Sequence, residues 1–437
     1  MGSGFAYLLK ERRFLPLFLT QFFGAFNDNA FKLAMLTMIS YHLSHTQDQS
    51  EYYQALAGAL FILPFFLFSA TAGQLADKYD KALMARLVKV FEVILMIMGS
   101  FAFYKSNIFF MMLTLTGMGI HSAFFGPIKY AILPDHLPKK DILRATGLIE
   151  ASTFLAILLG TTLGTLAIGT TNVTPFIAIF MTVFVAFAGL ISSLFIPSAP
   201  SSSVVSLKID LNIWRAIVNL LKQARKEPGV LLVILTISWF WLIGAVLLTK
   251  LPDYTHYVLG ANTTVFAVFL ALFSLGIAFG SLLISCILQG RITLSVVPGA
   301  MFLLTCFSFD LYWVSPIEEA KEPLLTLLSF FTDFNHWRIT FDLFMLALSG
   351  GIFVVPLYAY LQVASQAETR ARTIAANNIY NSLFMVLGTL LVMLLLKFKV
   401  AIPQVFLILG LLNILAASCL WIFLKKQKKN AEDRPHK

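Results

Sequence analysis

The sequence predicts an all-α integral membrane protein with twelve transmembrane helices. Three observations lead there. Of 437 residues, 58% are hydrophobic and only 12% charged, whereas a soluble domain carries about a quarter of its residues as charges. Twelve apolar runs follow one another with short breaks, each long enough to cross a hydrocarbon core of about 30 Å. A single long polar stretch, Pro197 to Pro228, divides them six and six.

Apolar runs read against Gly, Pro and charge punctuation place helices 1 to 6 near 14–41, 53–74, 82–104, 107–132, 144–169 and 174–196. Helices 7 to 12 follow near 229–251, 262–288, 292–314, 337–363, 370–396 and 401–424. The expected organisation is a first half over 1–196, a linker over 197–228, a second half over 229–424 and a basic tail over 425–437. Helix 1 follows Lys10, Arg12 and Arg13 without a small-residue cleavage site, which marks an uncleaved anchor rather than a signal peptide. The linker opens Ser/Pro-rich and continues with Lys208, Arg215, Lys222, Arg225 and Lys226. The loop Ser315 to Trp337 contains an apolar stretch, Pro323 to Phe331, too short to span; it is expected to lie in the interface as a passive loop or as a shield.

Positive residues are retained in cytoplasmic loops during insertion. With the N-terminus inside, 23 of the 32 Lys and Arg fall on the cytoplasmic side and 5 outside, so both termini are expected in the cytoplasm. The net charge of +10 reflects this bias and contact with anionic lipid, not nucleic acid. Cys286, Cys306 and Cys419 lie in apolar runs without pairing or metal-ligand spacing and read as packing residues; no metal or cofactor is expected. No Gly-x-x-x-x-Gly-Lys-Ser/Thr loop is present, which argues against ATP hydrolysis.

Ionisable groups inside a span cost about 2.5 to 3.5 kcal/mol near the bilayer centre, so each is a functional candidate. Helix 1 carries Asn27, Asp28, Asn29 and Lys32; Asp28 lies fourteen residues beyond Phe14, roughly 21 Å along the axis. Asp28 and Lys32 stand four apart on one face and can pair. Lys129 on helix 4 and Glu150 on helix 5 reach similar depths in the cytoplasmic third, where an ion pair is geometrically feasible; structural pairing and solute binding are both open readings. His121 on helix 4 is a further candidate, and Asn377, Asn378 and Asn381 give helix 11 an uncharged hydrogen-bonding surface. Lys89 and Glu92 repeat the pairing at spacing three, with Lys89 also able to snorkel. Gly160/Gly164 and Gly276/Gly280 have small-xxx-small spacing for close helix packing, and Pro356 loosens helix 10. His136-x4-Asp141 has an acyltransferase-like spacing but sits in a short loop between spans, so no catalytic pair and no enzyme is expected.

The loop Gly73-Gln-Leu-Ala-Asp77-Lys78-Tyr-Asp80-Lys81 resembles the Gly-x-Leu-Ala-Asp-x-x-x-Lys/Arg motif of the major facilitator superfamily, with Asp80 where the common pattern has glycine. The resemblance implies the major facilitator fold, two six-helix halves with helix 3 peripheral. It also implies a cytoplasmic gate in which Gly73 admits helix 11 and Asp77 meets the positive N-terminus of that helix. Lys81 belongs to the same motif, and Arg144, Arg370 and Arg372 are the candidate cations for Asp77.

A closer resemblance rests on Gln21-Phe-Phe-Gly-Ala-Phe-Asn-Asp-Asn29, Gly126-Pro-Ile-Lys129-Tyr with Leu133-Pro-Asp-His-Leu137, Gly147-Leu-Ile-Glu150, Ser238-Trp-Phe-Trp-Leu-Ile-Gly244 and Ala375-Ala-Asn-Asn378. Together these resemble the bacterial lysophospholipid transporter family over essentially the whole chain. The resemblance implies a flippase of the bacterial cytoplasmic membrane that brings lysophospholipids, such as lysophosphatidylethanolamine, from the outer to the inner leaflet for reacylation. A separate acyltransferase/acyl-carrier synthetase is the implied functional partner, and a monomer among membrane lipids is expected. The charges fit such a cargo independently: Lys32 or Lys129 complements a phosphate, Asp28 or Glu150 an amine, in a site expected between the halves. The alternative is a proton-coupled transporter of a small soluble or drug-like solute in which Asp28, His121 or Glu150 titrates; a third, a non-transporting lipid receptor, predicts binding without translocation.

Overall fold

The structure, a computed structural model, describes residues 3–168, 175–201, 208–316 and 323–432. Part of the Ser/Pro-rich linker (202–207), Lys321 in the loop between Ser315 and Trp337, and the tail end with Arg434 and Lys437 lie outside the described residues. Twelve long helices occupy the described chain: α1 Leu15–Met38, α2 Gln47–Lys78, α3 Lys81–Tyr104, α4 Ile108–Ala131, α5 Lys139–Ile168, α6 Pro175–Leu194, α7 Pro228–Asp253, α8 Thr263–Leu288, α9 Val297–Val314, α10 Phe334–Ala364, α11 Arg370–Lys397 and α12 Ile402–Glu432. Each lies where an apolar run places it, although α2 begins at Gln47 and α12 runs on to Glu432. Eleven are long and apolar enough to cross a membrane. The twelfth, α1, has its apolar run broken by Gln21, Asn27, Asp28, Asn29 and Lys32. The chain is a multi-pass membrane protein. Among the described residues, extended pairing is confined to one isolated bridge between Ala261 and Leu325, which pins the 323–331 segment to the α7–α8 loop.

Helix starts are capped as the sequence allows. Thr46 accepts from Gln49 N–H, Asn107 from Phe110 N–H and Asn262 from Thr264 N–H, each at 3.1 to 3.2 Å, satisfying backbone donors that the helix itself leaves open. Pro16 and Pro298 stand in the first turns of α1 and α9, where a missing N–H costs nothing. α8 ends on Gln289 and Gly290, both at positive φ.

Internal packing divides the chain into two compact units, Met1–Leu231 with Leu361–Ser382, and Leu232–Tyr360 with Leu383–Lys437. In the first unit α1 packs along α5 and α6, α2 along α4, and α3 against α4 and α6. The core here is thioether- and aromatic-rich, with Phe31, Met35, Met96, Phe103, Leu115 and Met118 buried. The opposite face of α3 exposes Leu87, Val90, Ile94, Ile97 and Phe101 at helical spacing. Such a stripe suits lipid, not water. In the second unit Asn413 of α12 donates to Met301 O (2.7 Å) and Thr305 Oγ1 (2.9 Å) on α9 and accepts from Trp239 Nε1 (2.9 Å), so one amide ties three helices.

The small-xxx-small pairs pack as their spacing predicts. A Cβ on Gly164 would meet the backbone of Ala30, 2.8 Å from its Cα, and one on Gly160 would lie 3.1 Å from Ala30 N and from Asn29 Cβ. In the second unit a Cβ on Gly276 would lie 2.8 Å from Ala347 Cβ. Backbone cannot yield as a side-chain tip can. Gly164→Leu is therefore expected to destabilise the protein by about 1–3 kcal/mol, seen as a lowered Tm in detergent; an unchanged Tm would show that α1 and α5 are not held in this contact.

Candidate functional site

Four buried polar side chains of the first unit form one network. Glu92 of α3 accepts from Asn27 Nδ2 of α1 at 2.9 Å and from Lys89 Nζ one turn before it. His121 Nε2 of α4 approaches the same carboxylate at 3.0 Å. Asn27, Lys89, Glu92 and His121 are all buried. Lys89 does not snorkel, correcting one expectation: Gly189 leaves room for its ammonium, since a Cβ there would stand 2.6 Å from Nζ. A buried pair of this kind is costly to break because the partner left behind has no water.

Beside this network lies a second, partly accessible layer. Asp28, only 12% exposed, accepts from Ser122 Oγ and faces His121 Nδ1 at 4.0 Å. The expected Asp28–Lys32 pair does not form within ion-pair distance, because Ser122 of α4 takes the carboxylate. Lys32 instead lies over the Phe61 ring at 5.4 Å. Lys129 and Glu150 likewise do not touch. Tyr130 donates to Glu150, and Lys129 Nζ sits over the Tyr130 ring at 4.8 Å. Lys32 and Lys129 are thus half-buried cations held on aromatic faces with no carboxylate within 4 Å. Asp28 acts on both lysines, and Glu150 on Lys129, only at longer range. Asn29 spends its amide on Ala25 O at 2.8 Å.

The first half of α11 belongs to the same unit. Asn377 is buried with neither amide atom hydrogen-bonded, and Asn378 Nδ2 is also without a partner. Asn378 lies against Gly126, where a Cβ would come within 2.7 Å of Nδ2, one helical turn before Lys129. Asn381 is buried further along α11. Gln21, not singled out in the sequence, ties α1 to α5 through Thr153 Oγ1 at 2.6 Å. In the second unit Asp310, paired with Arg338, and the buried Asp342 were also missed; helical spacing offered Asp342 only Arg338, four residues before it, which Asp310 of α9 takes.

The α2–α3 loop meets α11 as the motif implies. Asp77, buried, accepts from the backbone N–H of Ala371 (2.9 Å) and Arg372 (3.2 Å) and from Arg372 Nε (2.8 Å), so one carboxylate caps the helix and pairs with its first turn. Gly73 makes this possible: a Cβ there would stand 2.7 Å from Ala375 Cβ and 2.9 Å from Arg372 Cα. Lys81 and Arg370 both bind Asp135, each at 2.9 Å. Asp135 lies within Leu133-Pro-Asp-His-Leu137, a segment carrying the family resemblance, and that is the signal that marks it. Arg144 is a correction, since it stands 3.9 Å from Asp141 on its own helix and beside Gly4, away from Asp77. His136 Nδ1 is 3.1 Å from Arg13 O and does not engage Asp141. Asp80 caps α3 through Ala82 N–H (2.8 Å) and Leu83 N–H (3.0 Å). Burial raises its carboxyl, but hydrogen bonds from Ser198 and from backbone N–H groups outweigh it and hold the group below its ordinary value.

Removing one partner of the buried Asp77–Arg372 pair costs about 3–5 kcal/mol. Asp77→Asn should therefore speed hydrogen exchange at residues 370–376 by at least about tenfold; unchanged protection there would show that Asp77 does not hold the start of α11.

Comparison with known proteins agrees with this architecture. The chain is 27% identical over 417 residues to the lysophospholipid transporter LplT of Citrobacter koseri, covering 93% of this chain and 94% of that one. It is 25% identical over 424 residues to LplT of Photorhabdus laumondii, covering 96% and 98%. Among solved structures, the human organic anion transporter MFSD10 superposes with a TM-score of 0.74 at 14% identity, covering 93% of this chain and 99% of that one. The proton:xylose symporter XylE does so with a TM-score of 0.70 at 13% identity, covering 96% of each. Residues 17–332 match the sequence profile of the Major Facilitator Superfamily, and the chain belongs to that superfamily as a membrane transporter.

Proposed function

We propose that this transporter moves lysophospholipids, lysophosphatidylethanolamine among them, from the outer to the inner leaflet of the bacterial cytoplasmic membrane by alternating access. The observation that carries the reading is the pair Lys32 and Lys129, two cations in spans with no ion-pair partner within 4 Å. Leaving charge unpaired there is expensive, and an anionic ligand repays it. A phosphodiester can accept from either ammonium group, Lys32 or Lys129. Asp28, whose carboxylate is bound by a single neutral hydroxyl, offers charge to the ethanolamine amine. The names of the relatives support the same cargo.

In this reading the six-helix halves over 1–196 and 229–424 are the moving bodies, both termini are cytoplasmic as charge retention requires, and the Asp77 and Asp135 contacts form the cytoplasmic gate. Delivered lysolipid would be reacylated by a separate acyltransferase. One observation favours the alternative of proton coupling: His121 sits between Asp28 and Glu92, within 4.0 Å and 3.0 Å. It predicts solute uptake driven by a pH gradient.

The test is proteoliposomes carrying labelled lysophosphatidylethanolamine in one leaflet, with its arrival in the other followed. Each charge-assisted contact is worth about 1.5–3 kcal/mol, so Lys129→Gln and Lys32→Gln should weaken apparent affinity roughly ten- to hundredfold, with Lys129→Arg largely restoring it and Asp28→Ala abolishing transport. Folded protein that gives no acceleration over protein-free vesicles would overturn the lysolipid reading.

A further inference from the structure

The polar stretch between α6 and α7 contains a helix, Ile213–Arg225, that the sequence reading treated only as linker. Asn212 caps it, accepting from Arg215 N–H at 3.0 Å. One face is buried through Ala216, Ile217, Leu220 and Ala224, and the helix packs on α2. That contact accounts for the apolar residues of this face and leaves exposed apolar residues beside it unexplained. There Leu211, just ahead of the helix, is 82% exposed, Trp214 64% and Val218 47%. An interval of four residues sets Trp214 and Val218 on one side of the helix, and Leu211 leads into it.

Two further observations indicate what covers the stripe. Its position is fixed on α2: Asp210 N–H donates to Gln74 Oε1 at 2.7 Å, and the Trp214 ring meets Phe66 at 6.4 Å. Phe66 lies eight residues before Gln74, about 12 Å along the axis of a membrane-spanning helix, so the exposed stripe continues an apolar, lipid-facing surface. The charges are also one-sided. Asp210 is taken up by Arg215 at 2.7 and 2.9 Å, which leaves the exposed Lys222, Arg225 and Lys226 against the single carboxylate of Glu227.

An apolar stripe flanked by Lys and Arg, on a helix whose adjoining face is already packed, fits the boundary between acyl chains and headgroups. We infer that the Ile213–Arg225 helix is a membrane-surface element that seats on anionic phospholipid headgroups, inserting Trp214 and Val218 and placing Lys222, Arg225 and Lys226 among the phosphates. This goes beyond the transported solute, since the ligand is the leaflet itself and the contact lies on the segment joining α6 to α7.

The full chain, with Cys286, Cys306 and Cys419 replaced by serine, carries one fluorophore on Val218→Cys and is placed in nanodiscs of phosphatidylcholine with or without phosphatidylglycerol. Expected is strong quenching by spin-labelled acyl chains and weak quenching by aqueous iodide, most marked with phosphatidylglycerol. Lys222→Gln, Arg225→Gln and Lys226→Gln should each reduce the advantage of the anionic lipid by up to roughly fivefold. Iodide quenching that is strong in both lipids would overturn the membrane contact and point to a solvated or protein-docking face. Equal protection in both lipids, unmoved by the three substitutions, would overturn the anionic-headgroup assignment.

Discussion

A charge placed in hydrocarbon must be balanced from within the protein, and the first unit is organised around that requirement. Glu92 takes Lys89, Asn27 and His121 from three helices, so α1, α3 and α4 are fixed relative to one another by one carboxylate. Removing any of the three leaves a polar group without water to turn to. The network can form because Gly189 leaves open the space that the Lys89 ammonium fills. Against this closed arrangement, Lys32 and Lys129 stand out as charges that the fold places on aromatic rings and does not pair.

The same economy governs the end of the unit where α2 turns into α3. Asp77 answers three donors at the start of α11, and Asp135 answers Lys81 and Arg370. The Asp77 contact depends on backbone approach at Gly73, so packing and electrostatics there are one feature. Contacts of this sort are strong while formed yet consist of a few directional bonds, which suits a latch that must open during a transport cycle.

The spans were legible because about 20 apolar residues in a row have few other uses. Even α1, the most polar, was placed by its length. The contact of Asp77 with the start of α11 was legible from its motif, but the choice among Arg144, Arg370 and Arg372 was not, since it depends on how α11 is set against α2. Spacing suggested Asp28 with Lys32 and Lys129 with Glu150; neighbouring hydroxyls at Ser122 and Tyr130 took the carboxylates instead, and i,i+4 periodicity cannot see a competitor on another residue. Lys89 looked free to snorkel because the glycine that makes room for it, Gly189, lies on another helix. The linker helix was readable in principle, since Ile213, Ile217, Leu220 and Ala224 recur at helical spacing; its density of cations disguised it.

We propose that Lys32 or Lys129 holds the phosphate of a lysophospholipid. The most direct measurement is a solid-state NMR dipolar contact between 15N-labelled lysine ammonium groups and the 31P of bound lysophosphatidylethanolamine in the reconstituted protein. The account predicts a 15N–31P contact that weakens in Lys32→Gln or Lys129→Gln and vanishes in the double variant. A contact that persists undiminished in the double variant would place the phosphate elsewhere and contradict it.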